Sequence, residues 1–191
     1  RTFLWTAAGF AVACYAFILV LDPYSVVPFA PRWDRAPVDT NQRFSYPSIA
    51  RNPRFDAVVI GTSTSRILEP RHLGKAFGAN FANLAMNSAT AWEQVQMARL
   101  FLRSRPLTRY VLLGLDIAWC GTGATYERVT FRLFPEWMYD DDPWNDLLFL
   151  FNDKALEQGV RQAEYLLGAR RGKYRRDGFR DFLPADAEFT S

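Results

Sequence analysis

The segment FDAVVIGTSTSR, residues 55–66, decides the fold. Phe55 to Ile60 is a short apolar run rich in β-branched side chains that stops at Gly61, the pattern of a buried parallel strand. Ser65 to Phe77 then reads as a loop and a helix interrupted at Pro70, and Asn80 to Ala85 as a weaker strand. Thr90 with Glu93 three residues on is a capping box that opens a helix from Ala91 to Arg103, which Pro106 ends. Arg109 to Leu115, RYVLLGL, is a second strongly apolar strand. Strand, helix, strand, helix, strand in this order predicts an α/β domain with a parallel sheet and right-handed crossovers.

Upstream, no residue from Phe3 to Leu21 carries a charge, and the run is apolar on every side. At 1.5 Å per residue it reaches roughly 28 Å, close to the hydrocarbon thickness of a bilayer. Residues 1–21 are therefore expected to form one transmembrane helix, with Trp5 and Tyr24 near the headgroups. A secretory signal peptide is the weaker reading, because the run is longer than a usual apolar signal core and lacks a small-residue cleavage site before Asp22. Arg1 favours an inside N-terminus and Arg32 and Arg35 oppose it; the domain is placed outside the cytoplasm. Residues 22–54 contain Pro23, Pro28, Pro31, Pro37, Pro47 and Pro53, which predicts an extended connector, although Trp33, Phe44 and Tyr46 imply that it packs on something. The chain starts at Arg1, so it is read as processed or as part of a longer one.

The 191 residues include 49% hydrophobic, 16% aromatic and 23% charged residues, an ordinary globular composition that excludes disordered, collagenous and coiled-coil classes. Residues 55–191 are left to form the domain. After Cys120 the pattern weakens into a long excursion with a short helix from about Asn145 to Phe151. An amphipathic helix follows from Asp153 to Leu167, its apolar face formed by Ala155, Val160, Ala163 and Leu167. Asp140, Asp141 and Asp142 read as a solvated acidic turn rather than a calcium loop. Trp92, Trp119, Trp137 and Trp144 read as packing residues, with a sugar platform as the sharper alternative. The net charge of +3 comes with late basic residues, Arg161 to Arg180, read as a solvated face or a contact with anionic lipid or an acidic partner. Nucleic acid is not an expected partner. Cys14 and Cys120 form no metal or disulfide pattern, and the one histidine, His72, excludes a histidine-based metal site. No cofactor motif is present.

Chemistry concentrates in Gly61-Thr62-Ser63-Thr64-Ser65-Arg66. Sites in open parallel sheets form at the carboxyl ends of strands, and Ser63 is the hydroxyl such a turn exposes. A serine nucleophile needs a base in reach and donors around the developing oxyanion. The blocks VVIGTSTSRILEP, ANLAMNSATAWEQ and YVLLGLD resemble the N-terminal half of SGNH (GDSL-type) hydrolases, especially membrane-anchored bacterial members associated with O-acylation of envelope polymers. The resemblance spans Phe55 to Asp116 and implies a flavodoxin-like sheet of SGNH type. It places Ser63 on the nucleophile, whose amide is one oxyanion donor, and Ser88 where the family has an oxyanion glycine. Asp116 stands in the region of the oxyanion asparagine, with Asn83 and Asn87 as nearby amides that could substitute. The family's late Asp-x-x-His motif has no counterpart in this sequence, and His72 is expected on the surface. The four hydroxyl residues have a plainer role too, as caps of open amides, and Asp116 as a loop cap or an ion pair with Arg66.

Two functions follow. One is an esterase or O-acyltransferase acting on an envelope glycan from the bacterial inner membrane, its domain in the periplasm beside an integral-membrane acyl donor. The other is a non-catalytic accessory subunit, a pseudoenzyme whose helix packs against lipid and other spanning proteins.

Overall fold

The computed structural model describes residues 1–31, 33, 36–37, 39–121, 128–142, 144–172 and 174–182. Three strands, β1 (Ala57–Ile60), β2 (Phe81–Asn83) and β3 (Tyr110–Leu113), form a parallel sheet in the order β2-β1-β3. Val58 lies opposite Ala82 on one side and Val111 on the other. Hydrogen bonds continue past these ends, from Arg109 N to Asp56 O at 2.7 Å and from Met86 N to Gly61 O at 3.0 Å. The paired stretches thus approach the three strands expected from sequence.

A parallel sheet must be covered on both faces, and the alternation along β1 divides the work. Val58 and Ile60 join Ala82, Leu84, Met97, Leu100 and Phe101 in the larger cluster, which α4 (Ala91–Ser104) covers. Ala57, Val59 and Phe81 pack with Leu73 of α3 (Pro70–Phe77) on the other face. The capping box of α4 is formed: Glu93 N donates to Thr90 Oγ1 at 3.2 Å, and Thr90 N donates to Glu93 Oε2 at 3.0 Å. At the free edge of β2, Asn83 N donates to Asp177 O at 2.8 Å. The chain turns there at Gly178, whose φ of 79° and closeness to the Asn83 carbonyl leave no room for a Cβ.

The segment expected to be extended contains a helix, α2 (Gln42–Ala50), whose residues are buried apart from Ser48. Phe44, Tyr46 and Ile49 enter the larger core cluster, and that burial overrides the proline signal. Pro47 has no N–H for the Arg43 carbonyl four residues earlier; the Tyr139 hydroxyl donates to it instead, at 2.8 Å.

The apolar N-terminal run forms one helix, α1 (Thr2–Leu21), long and apolar enough to cross a membrane. It ends at Asp22, which is left-handed (φ 43°) and whose carboxylate accepts from Val26 N and Val27 N at 2.9 and 3.2 Å. After α5 (Asn145–Phe149), α6 (Asp153–Leu166) packs on α1. Of the expected apolar face, Ala155 is buried and Ala163 half-buried, but Val160 and Leu167 are exposed; the buried face is Ala155, Gln158, Gly159 and Gln162. Gly159 lies at the crossing with α1: a Cβ there would sit 3.1 Å from Phe17 Cε1, so a larger residue would have to displace the Phe17 ring by a few tenths of an ångström.

Candidate functional site

At the end of β1 the chain passes Gly61 and enters a 3-10 helix, Ser63–Ile67, with Thr62 before it. Ser65 Oγ lies against both Gly61 and Gly114, and a Cβ on either glycine would collide with it. The two glycines let the turn fold back onto the ends of β1 and β3, which brings Thr62, Ser63 and Thr64 to the sheet's carboxyl end. Ser63 and Thr64 are exposed there, and Thr62 and Ser65 are buried. A cleft of about 500 Å³ opens at this point, bordered by Thr62, Ser63, Thr64, Ser88, Ala89, Thr90, Asp116, Ile117, Ala118 and Gly121.

Ser88 keeps a left-handed backbone, φ 51°, although it is not a glycine. That conformation costs an L-residue roughly 1–2 kcal/mol, so the surroundings hold it in place. Arg43 does much of this. It is fully buried on α2 and donates to Glu93 through Nε (2.8 Å) and Nη2 (2.5 Å). The same guanidinium reaches the Asn87 carbonyl at 3.2 Å and the Ser88 carbonyl at 3.4 Å. One cation therefore ties α2, the start of α4 and the Asn87–Ser88 turn together.

The other expected site residues divide. Asp116 borders the cleft, but both its oxygens are engaged: Oδ1 accepts from Ala118 N at 3.0 Å, and Oδ2 accepts from the Thr62 hydroxyl. It caps the turn after β3, while Arg66 turns to Asn87 Oδ1 at 2.5 Å instead of to Asp116. Asn83 is buried and lies beneath the turn. Its Nδ2 donates to the Ser65 and Leu68 carbonyls at 3.0 and 2.9 Å, and its Oδ1 accepts from Ala85 N at 3.1 Å. Both amide hydrogens are thus committed to positioning the Ser63 turn. Ser63 and Ser88 are brought to one cleft; Asn83 and Asn87 support its walls.

Among the described residues no hydrogen-bond partner reaches the Ser63 hydroxyl, and no imidazole does, since His72 is exposed on α3, which leads away from the cleft. The arrangement can present a hydroxyl and two backbone turns to an acyl carbon. It holds no proton acceptor for that hydroxyl among these residues. None of the four tryptophans borders the cleft: Trp92 packs on Phe134, Trp137 on Tyr24 and Phe149, Trp119 bonds Gln94, and Trp144 is exposed. Asp141 pairs with Arg103, and Asp140 and Asp142 accept from Asn145 and Trp144 N at 2.7 and 2.9 Å. Arg43 was missed because it lies in the proline-rich stretch, 50 positions from Glu93. The available signal was the apolar spacing of Phe44, Tyr46 and Ile49 around it. No protein-family model, curated protein or solved structure matches this chain, so the resemblance to SGNH hydrolases stands on its motif residues alone.

Proposed function

We propose that this is a membrane-anchored, SGNH-like domain of the bacterial periplasm in which Ser63 accepts an acyl group, as an esterase or O-acyltransferase on an envelope glycan. The observation that carries the reading is the left-handed Ser88 facing the same cleft as the exposed Ser63. A non-glycine residue held in a glycine conformation at the position aligned with an oxyanion donor is what a preserved oxyanion turn requires. In this reading Ser63 Oγ attacks the acyl carbon, the amides of Ser63 and Ser88 face the oxyanion, and the hydroxyl proton passes to a base outside the described residues; the donor's ester bond then breaks, its leaving group departs with that proton, and water or a glycan hydroxyl takes the acyl group from Ser63. The acyl group comes from an integral-membrane partner whose donor part extends past the sheet to the Ser63 end of the domain.

A second reading is a non-catalytic accessory subunit of a membrane complex. The engagement of Asp116 by Thr62 and of Asn87 by Arg66 favours it, because polar groups that would serve catalysis are used to brace the turn. The two separate in one experiment. Membranes carrying the full-length protein are assayed for hydrolysis or transfer of an activated acetyl ester, with wild type and Ser63→Ala compared at equal abundance. Loss of activity in Ser63→Ala supports acyl transfer; a complex that keeps its activity with Ser63→Ala supports the accessory role.

A further inference from the structure

The last two turns of α1 are not free to stand in lipid alone. The Tyr15 hydroxyl donates to the Leu147 carbonyl of α5 at 2.7 Å, and the Tyr15 ring meets Phe151 edge-on at 5.4 Å. Phe17 contacts Gly159, and Ile18 is buried. Tyr15 lies about 9 Å below the end of the helix at 1.5 Å per residue. A 20-residue helix of about 30 Å matches the hydrocarbon thickness only if those turns lie within the bilayer. The elements that grip Tyr15 are then drawn to the same depth.

Those elements are suited to it. Leu148 is 81% exposed, Phe149 51% and Phe151 57%, and Trp144 stands exposed at the start of α5. Three carbonyls beside them are already bonded: that of Leu147 by the Tyr15 hydroxyl, that of Phe149 by Asn152 Nδ2 at 2.6 Å, and that of Leu150 by Asn152 N at 2.9 Å. Outward apolar side chains beside carbonyls that already have partners suit the acyl–headgroup boundary.

We propose that α5 and its junction with α6 form a second membrane contact, with Leu148, Phe149 and Phe151 set into the lipid boundary beside α1. The inference rests on the reading of α1 as a span. The occupant is lipid rather than another protein because Phe151, itself half exposed, packs on Tyr15 of α1 and so joins the patch to the apolar helix. Its attraction is apolar: Lys154, the basic residue beside the patch in sequence, sets its ammonium over the Phe44 ring at 4.6 Å, and Arg161 is paired with Glu157.

The test uses the full chain in lipid nanodiscs, with Cys14 and Cys120 replaced by serine and one environment-sensitive fluorophore at Leu148→Cys, Phe151→Cys, Phe10→Cys or Ile67→Cys. Lipids spin-labelled near the headgroup are expected to quench the labels at 148 and 151 at least several-fold more than the label at 67, with no change in high salt. Lipids spin-labelled deep in the chain should quench the label at 10. Quenching at 10 without quenching at 148 and 151 overturns the second contact and leaves the span standing. A label at 148 shielded from both lipid and aqueous iodide means that protein covers the patch, and also overturns the proposal. No lipid quenching at any position sinks the span reading itself.

Discussion

Ser88 and Asp146 are the two residues whose local physics makes the sharpest demands. Ser88 holds φ 51°, and the strain of that backbone disappears with glycine and grows with a β-branched side chain. Ser88→Gly is therefore expected to unfold at an equal or higher denaturant concentration than wild type, and Ser88→Val to lose about 1–2 kcal/mol. Equal stability of the two variants would show that the turn relaxes. The Asp146 carboxyl is buried on α5. Burial foremost, with the carboxylates of Asp140, Asp142 and Asp22, pushes its pKa up to about 7 against the opposing pull of Arg51. A carboxyl that binds its proton more tightly when folded stabilises the protein at low pH, and this contribution is lost as pH rises from about 4 to about 7. Denaturant midpoints of the wild type should fall across that window, and Asp146→Asn should flatten the fall. A slope unchanged in Asp146→Asn would assign it to other groups. Ser63 was legible in sequence because it stands in a contiguous strand-to-turn motif. Arg43 was not, because its role depends on a partner and two carbonyls brought to it by folding.

The elements were readable where local signals agree. The strand at 57–60, the box at Thr90 and Glu93 and the apolar strand at 110–113 each combine propensity, pattern and punctuation, and each formed within a residue or two of expectation. The signals failed in α2 and α6, where tertiary contact decides. In α2, Pro47 argues against a helix, but its missing donor is replaced by Tyr139 from a distant segment. Tyr139→Phe is expected to cost about 1–3 kcal/mol, since it leaves the buried Arg43 carbonyl without a donor. Pro47→Ala restores an N–H four residues after that carbonyl. The double variant Tyr139→Phe/Pro47→Ala should therefore be more stable than the sum of the single changes, as a double-mutant cycle in urea would measure. Simple additivity would show that the hydroxyl acts elsewhere. In α6, the helix-periodic apolar stripe Ala155, Val160, Ala163 and Leu167 holds at Ala155, while α1 lies against the side that carries Gln158, Gly159 and Gln162 and leaves Val160 and Leu167 exposed.

Across the whole molecule, the site and the apolar helix lie at opposite ends of the sheet. Asp22, where α1 ends, shares a cavity with Asn52, Pro53 and Ser104, which lead into β1 and β3, while Ser63 and Asp116 follow the carboxyl ends of the same strands. A bilayer around α1 would leave the Ser63 cleft facing away from the lipid, open to a polymer substrate or a partner. That separation was invisible in sequence because it depends on α2 and α6 folding the connector and the last helix back onto α1. If Ser63 is an acyl-accepting nucleophile, covalent capture detects it. Membranes containing the full-length protein are treated with a fluorescent fluorophosphonate, and the labelled site is mapped by peptide mass spectrometry. A label is expected on the peptide containing Ser63, absent in Ser63→Ala and weakened in Ser88→Val. No label on the wild-type protein, with a control serine hydrolase labelled in the same membranes, would contradict it.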